Sequence, residues 1–576
     1  MIPYQSATVD LYLRKLIDWE EYYRLRTGLG ADVTAERTTL EDVLGTAAQI
    51  CTELEPELRA GWHQAAKLVG GEVVYPPHIK KAYDTLAAAG LVSFGVAEEY
   101  GGYGLPAWVT NVILQMIARA DAGLMTIIGL QAGVADDIQY YASDELKQRY
   151  LPGLASGELM GAMDLTEPQA GSDLGAIRTR ATETAGEIRL DGEKIFITNG
   201  GSAVHLVLAR DADTYDASLG TTNGLSLYLC PRTLPDGTAN AIEITRLEEK
   251  LGIHGSPTAA VAFRGAVGFR VGKKGQGFRA MLTLMNNARL GVAAQGIGIA
   301  EAALDAAVRY ARERRQFGAP IADQPLMKNL LARMVTGLEG SRALLYRACA
   351  LLDRNRSIEA ALARGGMSEA ERAEWEAIRE RNEIRVRLLT PLAKYVATEI
   401  ADDITRQAIQ VHGGLGFMAE SVPGKLHADA IITTIYEGTS EIQVSFALKE
   451  VGKGALAVVF DDVERDLAGL ARAELAPYAD RVRKGIGQVL AAAPALAADM
   501  GYALLSAQSL AESVISVVVS AELLRQADAD PSRFDVAASW IERRMVDLEG
   551  RTERIRRGSP ALIERCARMI AQAVPA

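Results

Sequence analysis

Cysteine is scarce in this chain. Cys51, Cys230, Cys349 and Cys566 stand far apart with no C-x-x-C pair, so they build neither a zinc ribbon nor a disulfide framework, and a reducing compartment suits them. The six histidines never fall at metal-ligand spacing, and no metal site is expected. Long hydrophobic runs are missing too. The greasiest stretch, ALLSAQSLAESVISVVVSAELL (503–524), is broken by serines, Gln508 and Glu512, which predicts a buried helix and not a membrane span. The N-terminal MIPYQSATVDLYLRKLIDWEEYY carries charges throughout. It lacks the apolar centre of a secretory signal, and a cytoplasmic location is expected. Basic excess is absent as well: the net charge of −11 argues against general affinity for nucleic acid. It leaves room for a local basic pocket that takes an anionic substrate. Neither a Rossmann G-x-G-x-x-G nor a Walker sequence occurs in strand–turn–helix context, so any nucleotide cofactor has to be held in another way.

What the chain does have is length and pattern. At 576 residues it exceeds one compact core, and about two to four domains are expected. Hydrophobic residues at 49% and charged residues at 23% mark a folded globular protein. Residues 1–160 recur apolar at three-to-four spacing, as in LEDVLGTAAQICTELEPELRAGWHQAAKLV and VTNVILQMIARADAGLMTIIGLQAGVA, which predicts helices. From 161 to 278 the pattern becomes that of short strands. GEIRLDGEKIFITN (186–199) reads as a hairpin about Asp191-Gly192, and VHLVLAR, LSLYLC, AIEITRL and TAAVAFRG follow. Helix returns over 279–451, with a long helix read over 287–314. The charge-dense stretch 353–387 interrupts it and reads as solvent-exposed. Residues 452–576 form a further helical extension, nearly neutral with 16 Lys/Arg against 17 Asp/Glu. The fold class is mainly α with a central β domain.

Five motifs follow one another along this frame: MDLTEPQAGSDLGAIRTRA (163–181), KIFITNGG (194–201), RRQFG (314–318), QVHGGLGF (410–417) and IYEGTSEIQ (435–443). The first turns at Pro168 and Gly171, a geometry that aims backbone N–H groups and the hydroxyls of Thr166 and Ser172 at one polar ligand. In this order the five resemble the acyl-CoA dehydrogenase family over about residues 60–450. The resemblance implies a helical N-domain, a β-barrel middle and a helical bundle. It also implies FAD as cofactor and oxidation of an acyl-CoA thioester to the trans-2-enoyl-CoA.

That chemistry needs a base for the α-proton, donors for the enolate oxygen and a hydride acceptor, which flavin N5 supplies. Glu437 matches the family's base, on a turn where its carboxylate faces substrate and its N–H reaches the thioester carbonyl. Desolvation there would raise its pKa towards the working pH. The resemblance assigns cofactor contacts to Met163, Leu165, Thr166, Gly171, Ser172, Phe196 and Thr198. Phe196 stands where many relatives carry tryptophan. Arg314, Gln316, Gln324, Gln410, Gly413 and Gly414 match contacts to the FAD of a neighbouring subunit, and Thr439 and Glu441 match further ones. Substrate contacts fall on Ser172, Asn286, Arg289, Tyr436 and Gly438. Arg289, in NNARLG, reads as a cation near a helix N-terminus, an unfavourable placement unless a specific partner awaits it. Lys273 and Lys274 read as a solvated loop, and His412 as structural.

Electron-transfer flavoprotein is the implied electron acceptor, and a homodimer or homotetramer is implied because matched FAD contacts cross subunits. The 353–387 stretch and the C-terminal extension depart from the simplest members and resemble the long bacterial ones. The alternative reading is a non-dehydrogenase flavoprotein of this fold that binds DNA or a partner. The intact glutamate and the acidic chain speak against it. An oxidase or nitroalkane-type variant is opposed by the same glutamate.

Overall fold

The computed structural model describes residues 4, 6–28 and 32–573, apart from the side chains of 282–286. Contacts divide these residues into two compact units. The first holds Tyr4 and residues 43–299; the second holds residues 6–28, 32–42 and 300–573.

The chain opens with α1 (Ala7–Leu11) and α2 (Trp19–Thr27) of the second unit, followed by α3 (Val33–Gly61). A hairpin, β1 (Lys67–Val69) with β2 (Glu72–Val74), then precedes α4 (Pro77–Ala88). The long apolar run after it is two helices, α5 (Ala107–Ala120) and α6 (Ala122–Tyr141). Asp121 divides them: its extended backbone ends α5 and its carboxylate accepts the Leu124 N–H at 2.8 Å, capping α6. Next comes α7 (Asp144–Ser156).

The β region runs through β3 (Gly161–Asp164), β4 (Arg180–Thr184), β5 (Glu187–Thr198) and β6 (Val204–Asp211). After a single turn, α8 (Tyr215–Ser218), come β7 (Leu225–Pro231), β8 (Ile242–Leu247) and β9 (Thr258–Val271). β6 pairs β4 and β7, β7 pairs β9, β9 pairs β5 and β5 pairs β4, so the ladder closes on itself as a barrel. Side chains alternate along β6. Val207 and Ala209 join the barrel interior with Leu190, Phe263 and Val261, whereas Leu206 and Leu208 face Val134, Ile138 and Leu151 of α6 and α7.

Asp191-Gly192 is not the predicted turn. β5 runs straight through it with a register shift against β9, and the hairpin turn is Ala185-Gly186, both at positive φ. Glycine is required at 192 for another reason: a Cβ there would lie 2.4 Å from the Thr179 hydroxyl.

The long helix α9 (Gly277–Glu313) starts ten residues before the sequence pattern places it. Arg289 therefore lies three turns inside a helix and not at its N-terminus, where the sequence pattern puts it. Gly298 of α9 lets it touch α5, since a Cβ there would sit 2.3 Å from the Gln115 carbonyl oxygen. A two-residue ladder, β10 (Arg315–Gln316) with β11 (Ala319–Pro320), leads to α10 (Pro325–Arg364) and α11 (Glu369–His412). The stretch 353–387 is the end of α10, a short loop and the start of α11, whose Ser368 and Glu371 form a capping box. It is not wholly exposed: Ile358 and Ala361 are buried against Leu25 of α2.

α12 (Val422–Thr433) and α13 (Ser440–Gly452) complete the bundle, and α14 (Ala455–Ala468), α15 (Ala476–Ala492), α16 (Met500–Ala529), α17 (Phe534–Arg557) and α18 (Ala561–Ala573) form the extension. Buried charges tie the extension in. Arg347 of α10 reaches Asp462 at 2.7 Å and Asp466 at 2.6 Å on α14, and Glu522 at 2.8 Å on α16. Tyr12 donates to Glu522 at 2.5 Å. Burial works against the Glu522 charge, but Arg525 and Arg347 outweigh it and hold its pKa at about 2. Among the described residues two helical stretches, Asn287–Glu313 and Met500–Ala529, are long and apolar enough to cross a membrane, but 72% of the most apolar window in each is buried inside the fold, as in core helices.

Candidate functional site

The first unit carries the residues of the first two motifs. β3 is wholly buried, with Met163 at 6% exposure, and the chain leaves the ladder at Leu165 and Thr166, both half-buried. Their carbonyls are held from β5: Lys194 Nζ donates to Leu165 O at 2.9 Å and Ile195 N–H to Thr166 O at 2.9 Å. A second register shift, between Lys194 and Ile197, twists Phe196 to φ 58° and leaves its ring 59% exposed. Thr198 ends the same strand, half-buried, and Gly171 and Ser172 are exposed on the turn after β3. Among the described residues the hydroxyls of Thr166 and Thr198 have no protein partner. Arg289 is buried at 3% exposure, and the Asn286 side chain lies outside the described residues. Lys274 pairs with Asp213 at 2.7 Å at the surface, in keeping with a solvated loop.

The second unit carries the other three motifs. Arg314 and Gln316 are exposed and Gln324 half-buried; among the described residues the Arg314 guanidinium has no partner. Gln410 is exposed at the end of α11. Gly413 caps that helix at φ 61°, ψ −138°, a conformation that favours glycine. A Cβ on Gly413 or Gly414 would meet nothing within 4 Å, so the backbone there is open to a close neighbour. His412 is structural: its Nδ1 bonds the Ala408 carbonyl at 2.8 Å, and its ring stacks on Tyr310 at 4.3 Å.

Glu437 sits half-buried between α12 and α13 at φ 56°, a left-handed position that costs a non-glycine residue about 1–2 kcal/mol. Three hydrogen bonds fix the turn. Gln443 Nε2 donates to Glu437 O at 2.9 Å and Gly438 O at 3.0 Å, and Lys394 Nζ to Gly438 O at 2.9 Å. Both side chains are fully buried. Gly438 has φ 96°, and a Cβ there would lie 2.6 Å from Gln443 Nε2. Thr439 caps α13 by accepting the Ile442 N–H, Glu441 is exposed in its first turn, and Tyr436 is half-buried.

Six non-glycine residues have positive φ among the described residues. Phe196, Asn199, Phe317 and Glu437 fall inside the motifs, where backbone strain gathers at functional segments. Sequence reasoning missed the groups that hold these segments: Lys194, Glu167, Lys394 and Gln443. Lys194, Glu167 and Gln443 lie within quoted motifs, but their partners come from other strands and helices.

Comparison with known proteins identifies the family and the fold. The chain matches the acyl-CoA dehydrogenase N-terminal domain over 52–158, the middle domain over 162–266 and the C-terminal domain over 275–377 and 367–452. It is 35% identical to the 3-methylmercaptopropionyl-CoA dehydrogenase of Ruegeria pomeroyi across 77% of this chain and 75% of that protein. The butyryl-CoA dehydrogenase structure from Megasphaera elsdenii superposes with a TM-score of 0.59 at 28% identity, covering 73% of this chain and 98% of that one. An acyl-CoA dehydrogenase from Bacillus anthracis, complexed with FAD, superposes with a TM-score of 0.73 at 22% identity. It covers 97% of this chain and 94% of that one, so its fold includes a counterpart of the extension. The chain belongs to the acyl-CoA dehydrogenase family. It is an oxidoreductase of that FAD-binding family. Within each unit the residues present suit such a cofactor: in the first, the Thr166 and Thr198 hydroxyls, without a protein partner among the described residues, and the exposed Phe196 ring; in the second, the Arg314 guanidinium, likewise unpartnered among the described residues, and the open backbone at Gly413 and Gly414.

Proposed function

We propose that this chain oxidises an acyl-CoA thioester to the trans-2-enoyl-CoA, with Glu437 as the base that removes the α-proton and electron-transfer flavoprotein as the electron acceptor. The observation that carries the reading is the Glu437 turn. A glutamate is kept in a left-handed conformation by three donors to its own and the following carbonyl, which pins the two peptide planes after it and so holds the backbone from which its carboxylate projects.

Each part then has a task. Leu165, Thr166, Phe196 and Thr198 hold the flavin ring, and Met163, Gly171 and Ser172 continue that contact. Arg314, Gln316, Gln324, Gln410, Gly413, Gly414, Thr439 and Glu441 hold the remainder of FAD. Bound FAD supplies the hydride acceptor. The Glu437 carboxylate takes the α-proton, and its backbone N–H donates to the thioester oxygen as negative charge develops there. Substrate contacts fall to Tyr436 and Gly438 beside the carboxylate in the second unit, and to Arg289, Asn286 and Ser172 in the first.

Exposed apolar side chains of the second unit also favour a homodimer or homotetramer. Phe317 (94% exposed), Leu326 (86%) and Phe417 (84%) are large apolar side chains left in solvent beside the residues matched to a neighbouring subunit's cofactor, a pattern that marks an interface.

Anaerobic bleaching of the purified protein's flavin spectrum by a panel of acyl-CoAs tests the reaction. Butyryl and methylthio-propionyl thioesters come first, because two of the similar proteins act on them by name, followed by longer, branched and aryl chains. Bleaching by one group supports the dehydrogenase. A yellow protein that none of them reduces points instead to the non-catalytic flavoprotein.

A further inference from the structure

The peptide planes on either side of Thr166 are both pinned. The Leu165 carbonyl and the Thr166 N–H share one plane, and the fully buried Lys194 ammonium donates to that carbonyl at 2.9 Å. Thr166 O and Glu167 N–H share the next. Ile195 N–H donates to the first at 2.9 Å, and the second donates to Ala170 O at 2.9 Å. The Thr166 N–H thus points away from Lys194, and among the described residues it has no protein partner.

Lys194 spends its other protons on Glu167 Oε1 at 2.9 Å and Leu208 O on β6 at 2.8 Å. Glu167, 4% exposed, collects four more donors. Thr179 N–H (2.9 Å) and hydroxyl (2.6 Å) reach Oε1; Arg178 N–H (2.7 Å) and Gln169 Nε2 (2.6 Å) reach Oε2. One cation and one anion therefore tie the 165–167 segment to β5, to β6 and to the strand that begins after Thr179.

Stability alone does not explain a buried pair here, since apolar residues of similar volume commonly serve as well or better. Apolar residues cannot orient a peptide plane. We infer that Lys194 and Glu167 are positioning residues for the flavin: their pair sets the Leu165–Thr166 peptide so that the Thr166 N–H and hydroxyl meet the ring in a fixed direction. The inference rests on the flavoprotein reading of the same segment.

Two variants test it, Lys194→Met and the double variant Lys194→Met with Glu167→Gln. FAD affinity is measured by fluorescence titration of apo-protein, the bound flavin by visible circular dichroism, and folding by far-ultraviolet circular dichroism and thermal unfolding. Lys194→Met is expected to weaken FAD binding roughly 10–100-fold, the range seen when groups that orient the ligands of a metal site are lost, and to change the visible dichroism. The double variant leaves no unpaired charge buried, so it regains thermal stability while FAD stays weak and its dichroism altered. The double variant therefore decides the matter even where the single one fails to fold. Recovery of FAD affinity and spectrum together with stability would reduce the pair to charge balance and overturn the inference. So would a folded Lys194→Met that binds FAD within about threefold of the parent, under 1 kcal/mol, with an unchanged spectrum. A parent protein that takes up no FAD overturns the flavoprotein reading itself.

Discussion

Gln443→Met separates the holding of the Glu437 turn from the chemistry on it. The left-handed Glu437 stores about 1–2 kcal/mol of strain. Opposing it, Gln443 makes two hydrogen bonds, to Glu437 O and Gly438 O, worth about 1 kcal/mol each. Lys394 adds one charge-assisted bond to Gly438 O, worth roughly 1.5–3 kcal/mol. Methionine fills similar volume without a donor and removes about 2 kcal/mol of restraint, as much as the strain it offsets. The turn then samples relaxed conformations in which the carboxylate is misdirected. Such a population shift corresponds to a fall in kcat of roughly 5–30-fold, while KM and the bound flavin's spectrum stay close to the parent's. Steady-state kinetics at matched FAD content, with urea unfolding as control, measures this. A kcat within about twofold of the parent would refute the idea that the turn is held by side-chain donors.

Three further outcomes are expected. Glu437→Gln keeps FAD and substrate binding but loses several orders of magnitude in turnover, read by stopped-flow bleaching; near-parental rates would remove it as the base. Arg314→Ala releases FAD, measured as occupancy after dialysis, and unchanged occupancy would refute its role. Glu522 and Glu339 both have folded pKa values lowered from 4.5 to about 2, so their stabilisation, roughly 3 kcal/mol each, is complete above pH 4.5 and drains as pH falls towards 2. Glu522→Gln should lower the urea midpoint at pH 6 and flatten that decline; a parent protein equally stable at pH 6 and pH 3 would refute it.

The helical–β–helical order was legible because periodicity switches from 3.6 to 2 and back, and the motifs were legible as short strings. What escaped depends on contacts between distant segments. Asp191-Gly192 has the composition of a turn, but Thr179 crosses so close that glycine serves a strand instead. No rule of spacing says that β5 bulges at Phe196 and turns its ring outward. The start of α9 at Gly277 was missed because the β region was read as running to 278 and the long helix as beginning at 287. The arginine-rich run 541–557, which could pass for a nucleic-acid-binding face, is largely paired: Arg544 and Arg551 turn to Glu512, and Arg556 and Arg557 to Glu553.

Buried charge has two uses in this chain, and sequence alone cannot tell them apart. Arg347, Asp462, Asp466, Glu522 and Tyr12 join the start of the chain, the bundle and the extension across hundreds of residues, and none lies in a motif. Lys194 and Lys394, each fully buried, direct an ammonium at the backbone carbonyl next to a residue matched to cofactor or substrate. A bond between side chains sets the distance between elements, whereas a bond from a side chain to a carbonyl sets the rotation of one peptide plane. The two groups should therefore separate under mutation. Loss of charge in the first lowers stability without altering the bound flavin. Loss in the second alters the flavin or the turnover number by more than its cost in stability explains.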